Sequence, residues 1–155
     1  MKLIFTGKHA GIFFLSVFFF SMIIIIAGAC REGQTTGQTL MPQMNNTDSI
    51  QVLYFTTPGQ VRFFTYVPVN DKVFIGQLVK DLTSDTVDAN NCEKNGKIYF
   101  YAKGELFNTV FFGYTKDDCK ILRYIKNGKL YHFAMSDEVR KKIAELKTLS
   151  IDPSR

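Results

Sequence analysis

The stretch CKILRYIKNGKLYHFAM, residues 119–135, decides the fold. Two runs of β-branched, aromatic and aliphatic residues flank Asn127-Gly128. That dipeptide tolerates positive φ at both central turn positions, the requirement of a two-residue hairpin whose twist matches its strands. Strands joined so tightly pair antiparallel, so the stretch predicts a β-hairpin with Leu130, His132 and Ala134 sharing one face.

Working outward, KIYFYAK (97–103) and LFNTVFFGY (106–114) read as two more strands around Gly104-Glu105, which extends the hairpin into a meander. Earlier still, IQVLYFTT (50–57) and QVRFFTYVPV (60–69) are strand-like. Thr57-Pro58-Gly59-Gln60 between them places Pro and Gly where a type II turn wants them. The segment NDKVFIGQLVKDLTS (70–84) changes period: Phe74, Ile75, Leu78, Val79 and Leu82 fall on one helical face behind an Asn70/Asp71 cap. Gly76 weakens that helix by about 1 kcal/mol relative to Ala. After the hairpin, SDEVRKKIAELKTL (136–149) begins with Ser136 as cap and acids in its first turn, with Val139, Ile143 and Leu146 on one face. The element order ββαββββα predicts an α+β domain over residues 49–155. Its expected core is a single antiparallel sheet of five to six strands with two helices packed on one face.

The N-terminal part is unlike the rest. Lys2 and Lys8 precede an unbroken apolar run over residues 11–26, and Ala27, Gly28 and Ala29 lead into Cys30. A basic start, an apolar middle and small residues are the order of an export signal. With Cys directly after them, the segment resembles a bacterial lipoprotein signal, whose lipobox ends in the cysteine that receives lipid. Ala27 departs from the usual Leu. The resemblance covers about the first 30 residues and implies that residues 1–29 are a signal peptide, removed at Cys30. Cys30 would then be lipid-modified and acylated (palmitate or a similar chain), anchoring the protein to a membrane of the bacterial cell envelope, either the outer membrane or one facing the periplasm. Two or three acyl chains anchor stably where one is marginal. The alternatives are an uncleaved transmembrane helix over residues 11–29, just long enough to span, and ordinary cleaved secretion. All three deliver the C-terminal part across the cytoplasmic membrane. Residues 30–48, rich in Gln, Thr, Gly and Asn, read as the lipidated Cys followed by a flexible tether. The triplets at residues 48–50 (DSI) and 85–87 (DTV) also resemble the short O-glycosylation motif of exported Bacteroidota proteins, with Ser49 and Thr86 as acceptors.

The chain has three cysteines. Assigning Cys30 to lipid leaves Cys92 and Cys119 as an even pair in an oxidising compartment, where a disulfide is expected. Two buried free thiols are the alternative. Neither a CxxC nor a Cys/His cluster suggests zinc.

Composition and motifs narrow the chemistry. The net charge is +5, of which Lys2 and Lys8 belong to the leader, leaving +3 for the remainder. That excess is small and scattered, so no nucleic-acid partner is expected. His132 is the one histidine after the leader, and no GxSxG elbow, glycine-rich phosphate loop or HExxH accompanies it. Asp81, Asp85, Asp88 and Glu93, with Asn90 and Asn91, form an acidic loop. Its spacing breaks the calcium-loop pattern at Cys92 and Glu93, so neither a metal nor a cofactor is expected. Aromatic residues are the one excess. Rings lie on both faces of neighbouring strands; one set must fill the core, and the other meets a second layer or solvent. The candidate binding surface comprises Tyr99, Tyr101, Phe112, Tyr114, Tyr124 and Tyr131. The expected function is a lipid-anchored, non-catalytic binding or adaptor module of the cell envelope, with an envelope protein or glycan as partner. The competing readings are a small carboxylate-using envelope enzyme and a purely structural envelope component.

Overall fold

The computed structural model describes residues 35–88, 92–116 and 119–153. In chain order these contain α1 (Gly37–Leu40), a 3-10 turn (Met44–Asn46), β1 (Ser49–Phe55), β2 (Phe64–Val69), α2 (Lys72–Thr83), β3 (Gly96–Ala102), β4 (Glu105–Gly113), β5 (Ile121–Lys126), β6 (Lys129–Ala134) and α3 (Asp137–Lys147). The six strands described form one sheet in the order β2-β1-β3-β4-β5-β6, antiparallel throughout. The fold is α+β, as the element pattern implies, and none of the described helices is long and apolar enough to cross a membrane.

Turn chemistry sets the strand pairing. Asn127 and Gly128 take φ of 52° and 76°, closing the β5–β6 hairpin in the left-handed conformation expected of them. The β3–β4 turn sits one residue earlier than expected, at Lys103 (φ 54°) and Gly104 (φ 80°), which frees Glu105 to start β4. At the β1–β2 turn Gly59 has φ 79° and the Gln60 N–H donates to the Thr57 carbonyl at 3.1 Å, the type II geometry. Strand β2 then waits until Phe64. One irregularity shapes the middle of the sheet: the β3–β4 register slips between Phe100 and Tyr101, leaving Phe107 as an extra residue packed against the core.

All the described helices lie on one face. Val52, Ile98 and Val110 align across β1, β3 and β4, and Leu122 and Phe133 continue the layer through β5 and β6. These residues form one buried cluster with Phe74, Leu78 and Leu82 of α2 and Val139 and Ile143 of α3. Asp71 caps α2, its carboxylate accepting from the N–H groups of Val73 and Phe74, and Ser136 caps α3 by accepting from Val139 N–H. Tyr54 reaches across the core to donate its hydroxyl to the Ile143 carbonyl at 2.7 Å, and its ring meets Phe112 edge-on at 5.8 Å.

The described domain starts earlier than expected. Residues 35–48, expected to belong to a flexible tether, are built into the fold. Leu40, Met41 and Met44 are buried in the helix-side core, Met44 with no exposure at all. Fully burying such a side chain contributes about 1.5–3 kcal/mol, enough for three of them to offset much of the ordering entropy of a short polar segment. Backbone contacts add to it. Gly37 N–H donates to Ser84 O at 2.8 Å, and Lys126 Nζ donates to Leu40 O at 2.7 Å. Residues 1–34, with Cys30 and the segment expected to be a signal peptide, lie outside the described residues.

Both outer strands carry a brace. Tyr66 of β2 exchanges two backbone hydrogen bonds of 2.9 Å with Ile151, and Pro68 two residues on has no N–H to offer. On β6 the His132 carbonyl accepts from Val87 N–H at 2.9 Å.

Candidate binding face

The face of the sheet turned away from the helices is built by strand alternation. Register places Tyr66, Leu53, Lys97, Phe111, Arg123 and His132 in one row across all six strands. A neighbouring row runs Pro68, Gln51, Tyr99 and Thr109, and Tyr101 lies opposite Ser49 and Leu106. None of the outward-pointing strand positions described carries a carboxylate. Four rings on this face, Tyr66, Tyr99, Tyr101 and Phe111, are half-buried, with their remaining surface open to solvent. Two lysines lie against them: Lys97 Nζ is 4.6 Å from the Tyr99 ring centre and Lys94 Nζ is 4.8 Å from that of Phe111.

Toward β5 the face closes. Cys92 and Cys119 are disulfide-bonded with a Cα separation of 5.5 Å, and both pack on Ile121. The segment before β3 crosses directly over Gly113, where an added Cβ would lie 2.6 Å from the Glu93 carbonyl oxygen. Beneath this loop Arg123 is only 5% exposed. Its Nη2 donates to the Cys92 carbonyl, while its Nε has no partner among the described residues. Burial lowers the pKa of the guanidinium from its ordinary value. Asn95, also buried, accepts from the Tyr114 N–H at 2.8 Å and ties the loop to the end of β4. The disulfide therefore pins a loop onto the sheet.

The six aromatic residues expected to form one surface separate onto two faces. Tyr99 and Tyr101 lie on the open face. Phe112 and Tyr114 do not: they are 0% and 9% exposed and sit in the helix-side core with their ring centres 5.7 Å apart. Alternation sends Phe111 outward and Phe112 inward, so the adjacent ring takes its place. Tyr124 and Tyr131 are cross-strand partners packed on the edge of the helix-side core. Burial raises the pKa of the Tyr114 and Tyr124 hydroxyls. Tyr66, Phe111, Lys94 and Lys97 were missed. The signal for Phe111 was present in the alternation of residues 109–113, but it needed knowledge of which face the helices cover.

The polar candidates scatter. His132 is half-buried on the outer face opposite Arg123, and its pKa is lowered by burial and then by Arg123, with Asp88 opposing. The Asp81 carboxylate accepts from both Ser136 N–H and Ser136 Oγ at 2.8 Å, joining the end of α2 to the start of α3. Asp85 bridges Thr36 through its backbone. Asn90 and Asn91 lie outside the described residues. Among the described residues no group of three or more His, Cys, Asp or Glu side chains is placed to hold a metal ion. Ser49 opens β1 with its hydroxyl on Asp48 at 2.9 Å, and Thr86 N–H donates to Thr35 O at 3.3 Å. A concavity of about 420 Å³ beside α3 is lined by Tyr114, Thr115, Asp137, Arg140, Lys141 and Ala144, with Asp137 held by Lys120 at 2.6 Å.

The architecture defines a class, an open six-stranded antiparallel sheet with one helical layer and one aromatic face that the described residues leave largely bare. No protein-family model, curated protein or solved structure matches the chain.

Proposed function

We propose that this chain is a lipid-anchored, non-catalytic binding module of the bacterial cell envelope, taking an envelope protein or glycan on the open face of its sheet. The observation that carries this reading is the set of half-exposed rings, Tyr66, Tyr99, Tyr101 and Phe111, on a sheet face that the described helices leave bare. Aromatic side chains present a large contact area at low entropic cost, whether to apolar protein surface or to the face of a sugar ring. The lysines beside them, and the lack of carboxylates at outward positions described, favour a neutral or acidic partner over a basic one. The anchor rests on the lipobox-like AGAC at residues 27–30.

The test is affinity capture from envelope extract with the domain beginning at Thr35, comparing the native chain with a Tyr99→Ala/Tyr101→Ala variant. Loss of the captured partner, with cooperative unfolding retained, is the expected outcome. Equal capture by both chains would remove the open face from the proposal. Substituting Tyr131, on the opposite face, serves as the control.

A further inference from the structure

We infer that the folded domain is held at the bilayer surface with its β6 edge toward the lipid, rather than carried away from it on a stalk. This rests on the lipid-anchor reading of Cys30. Five peptide steps separate Cys30 from Thr35, the first residue described. A fully extended chain covers at most about 3.6 Å per residue, so the first folded residue lies within about 18 Å of the lipidated cysteine.

The entry point of the chain is also fixed. Thr35 O accepts from Thr86 N–H, Thr36 bridges Asp85, and the next residue in that segment, Val87, donates to His132 on β6. The anchor therefore joins the domain beside one edge of the sheet. The opposite edge, β2, is five strand spacings away, or about 24 Å at the usual separation. Around the entry, Val87, Leu130 and Ile125 are exposed apolar side chains, Leu130 and Ile125 being cross-strand partners. Lys126 and Lys129 flank them, and Asp85 and Asp88 stand nearby. Charge is close to balanced there, so the short reach sets the docking, with the apolar side chains against the headgroup zone, and anionic lipid is not required. The β1–β2 turn is left farthest from the anchor.

The experiment uses the full acylated protein in phosphatidylcholine vesicles containing a headgroup-linked quencher. A small fluorophore is placed on Lys129→Cys or on Gln60→Cys. Quenching is expected to be at least about threefold stronger at position 129 than at position 60. Inserting twenty Gly/Ser residues between Gln34 and Thr35 gives a spacer with a typical reach of about 25 Å and should bring the two positions together. Equal quenching at native spacing, or a difference that survives the insertion, overturns the docking. Intact mass separates this from the underlying reading. A mature chain beginning at acylated Cys30 with equal quenching removes the docking alone, whereas a chain without acyl groups at Cys30 removes both.

Discussion

Arg123 and His132 stand opposite each other across β5 and β6, both pointing away from the helices. Burial, reinforced by the guanidinium, holds the folded imidazole below its usual value of about 6.5. The unfolded chain therefore takes up a proton near pH 6.5 that the folded domain refuses until lower pH. The associated stability is fully present above that pH and is lost as pH falls through it toward the folded value. The urea midpoint of the domain should drop between pH 7.5 and 5.5, and the drop should shrink in His132→Gln. An unchanged pH slope in the variant would rule out His132 as its source.

Two glycines should respond to alanine with opposite signs. At Gly37 an added Cβ would lie 1.7 Å from the Leu82 carbonyl oxygen and 2.9 Å from the Phe133 ring, so α1 would have to move off α2. Gly37→Ala is expected to destabilise by about 3 kcal/mol, the upper range for overpacking. A Cβ added at Gly76, inside α2, would meet nothing within 4 Å beyond the backbone of its own helix, so Gly76→Ala should stabilise by up to about 1 kcal/mol. Thermal melts of the two variants distinguish these outcomes directly.

Truncation tests the extended start of the domain. A chain beginning at Thr35 should unfold cooperatively. One beginning at Ser49 loses the burial of Leu40, Met41 and Met44, several kcal/mol against a total stability of about 5–15 kcal/mol. Near-ultraviolet circular dichroism should show its tertiary signal weakened or lost. An undiminished signal in the shorter chain would mean that the three side chains contribute little.

Reducing the disulfide should cost about 3.5 kcal/mol, the loop-entropy value for a sequence separation of 27. Hydrogen exchange should locate the loosening in the segment over Gly113 and Arg123, with β1 and β2 protected as before. Uniform loss of protection across the sheet would show that the bond supports more than the loop.

The strands, α2 and α3 were legible because each depends on local signals, and the cysteine pair because assigning Cys30 to lipid leaves an even number. Asn127-Gly128, Pro58-Gly59, the Asp71 and Ser136 caps and the alternation of apolar residues all act within a few positions of sequence. The α1 region was not legible. Leu40, Met41 and Met44 are three apolar residues among Gln, Thr and Asn, too sparse to show a helical period, and their burial depends on a gap beside α2 that only the assembled sheet creates. The aromatic face was half legible for a related reason. Alternation separates Tyr99 from Phe100 and Phe111 from Phe112, yet both faces carry rings, and only the helices' choice of side decides which set is left outside.

The braces on the two outer strands bear on how this protein tolerates crowding. An open sheet ends in unpaired peptide groups that invite a neighbour's strand. Ile151 occupies the Tyr66 position on one margin, Pro68 withholds a donor beside it, and Val87 occupies His132 on the other. These plugs oppose strand-to-strand polymerisation while leaving the broad aromatic face uncovered.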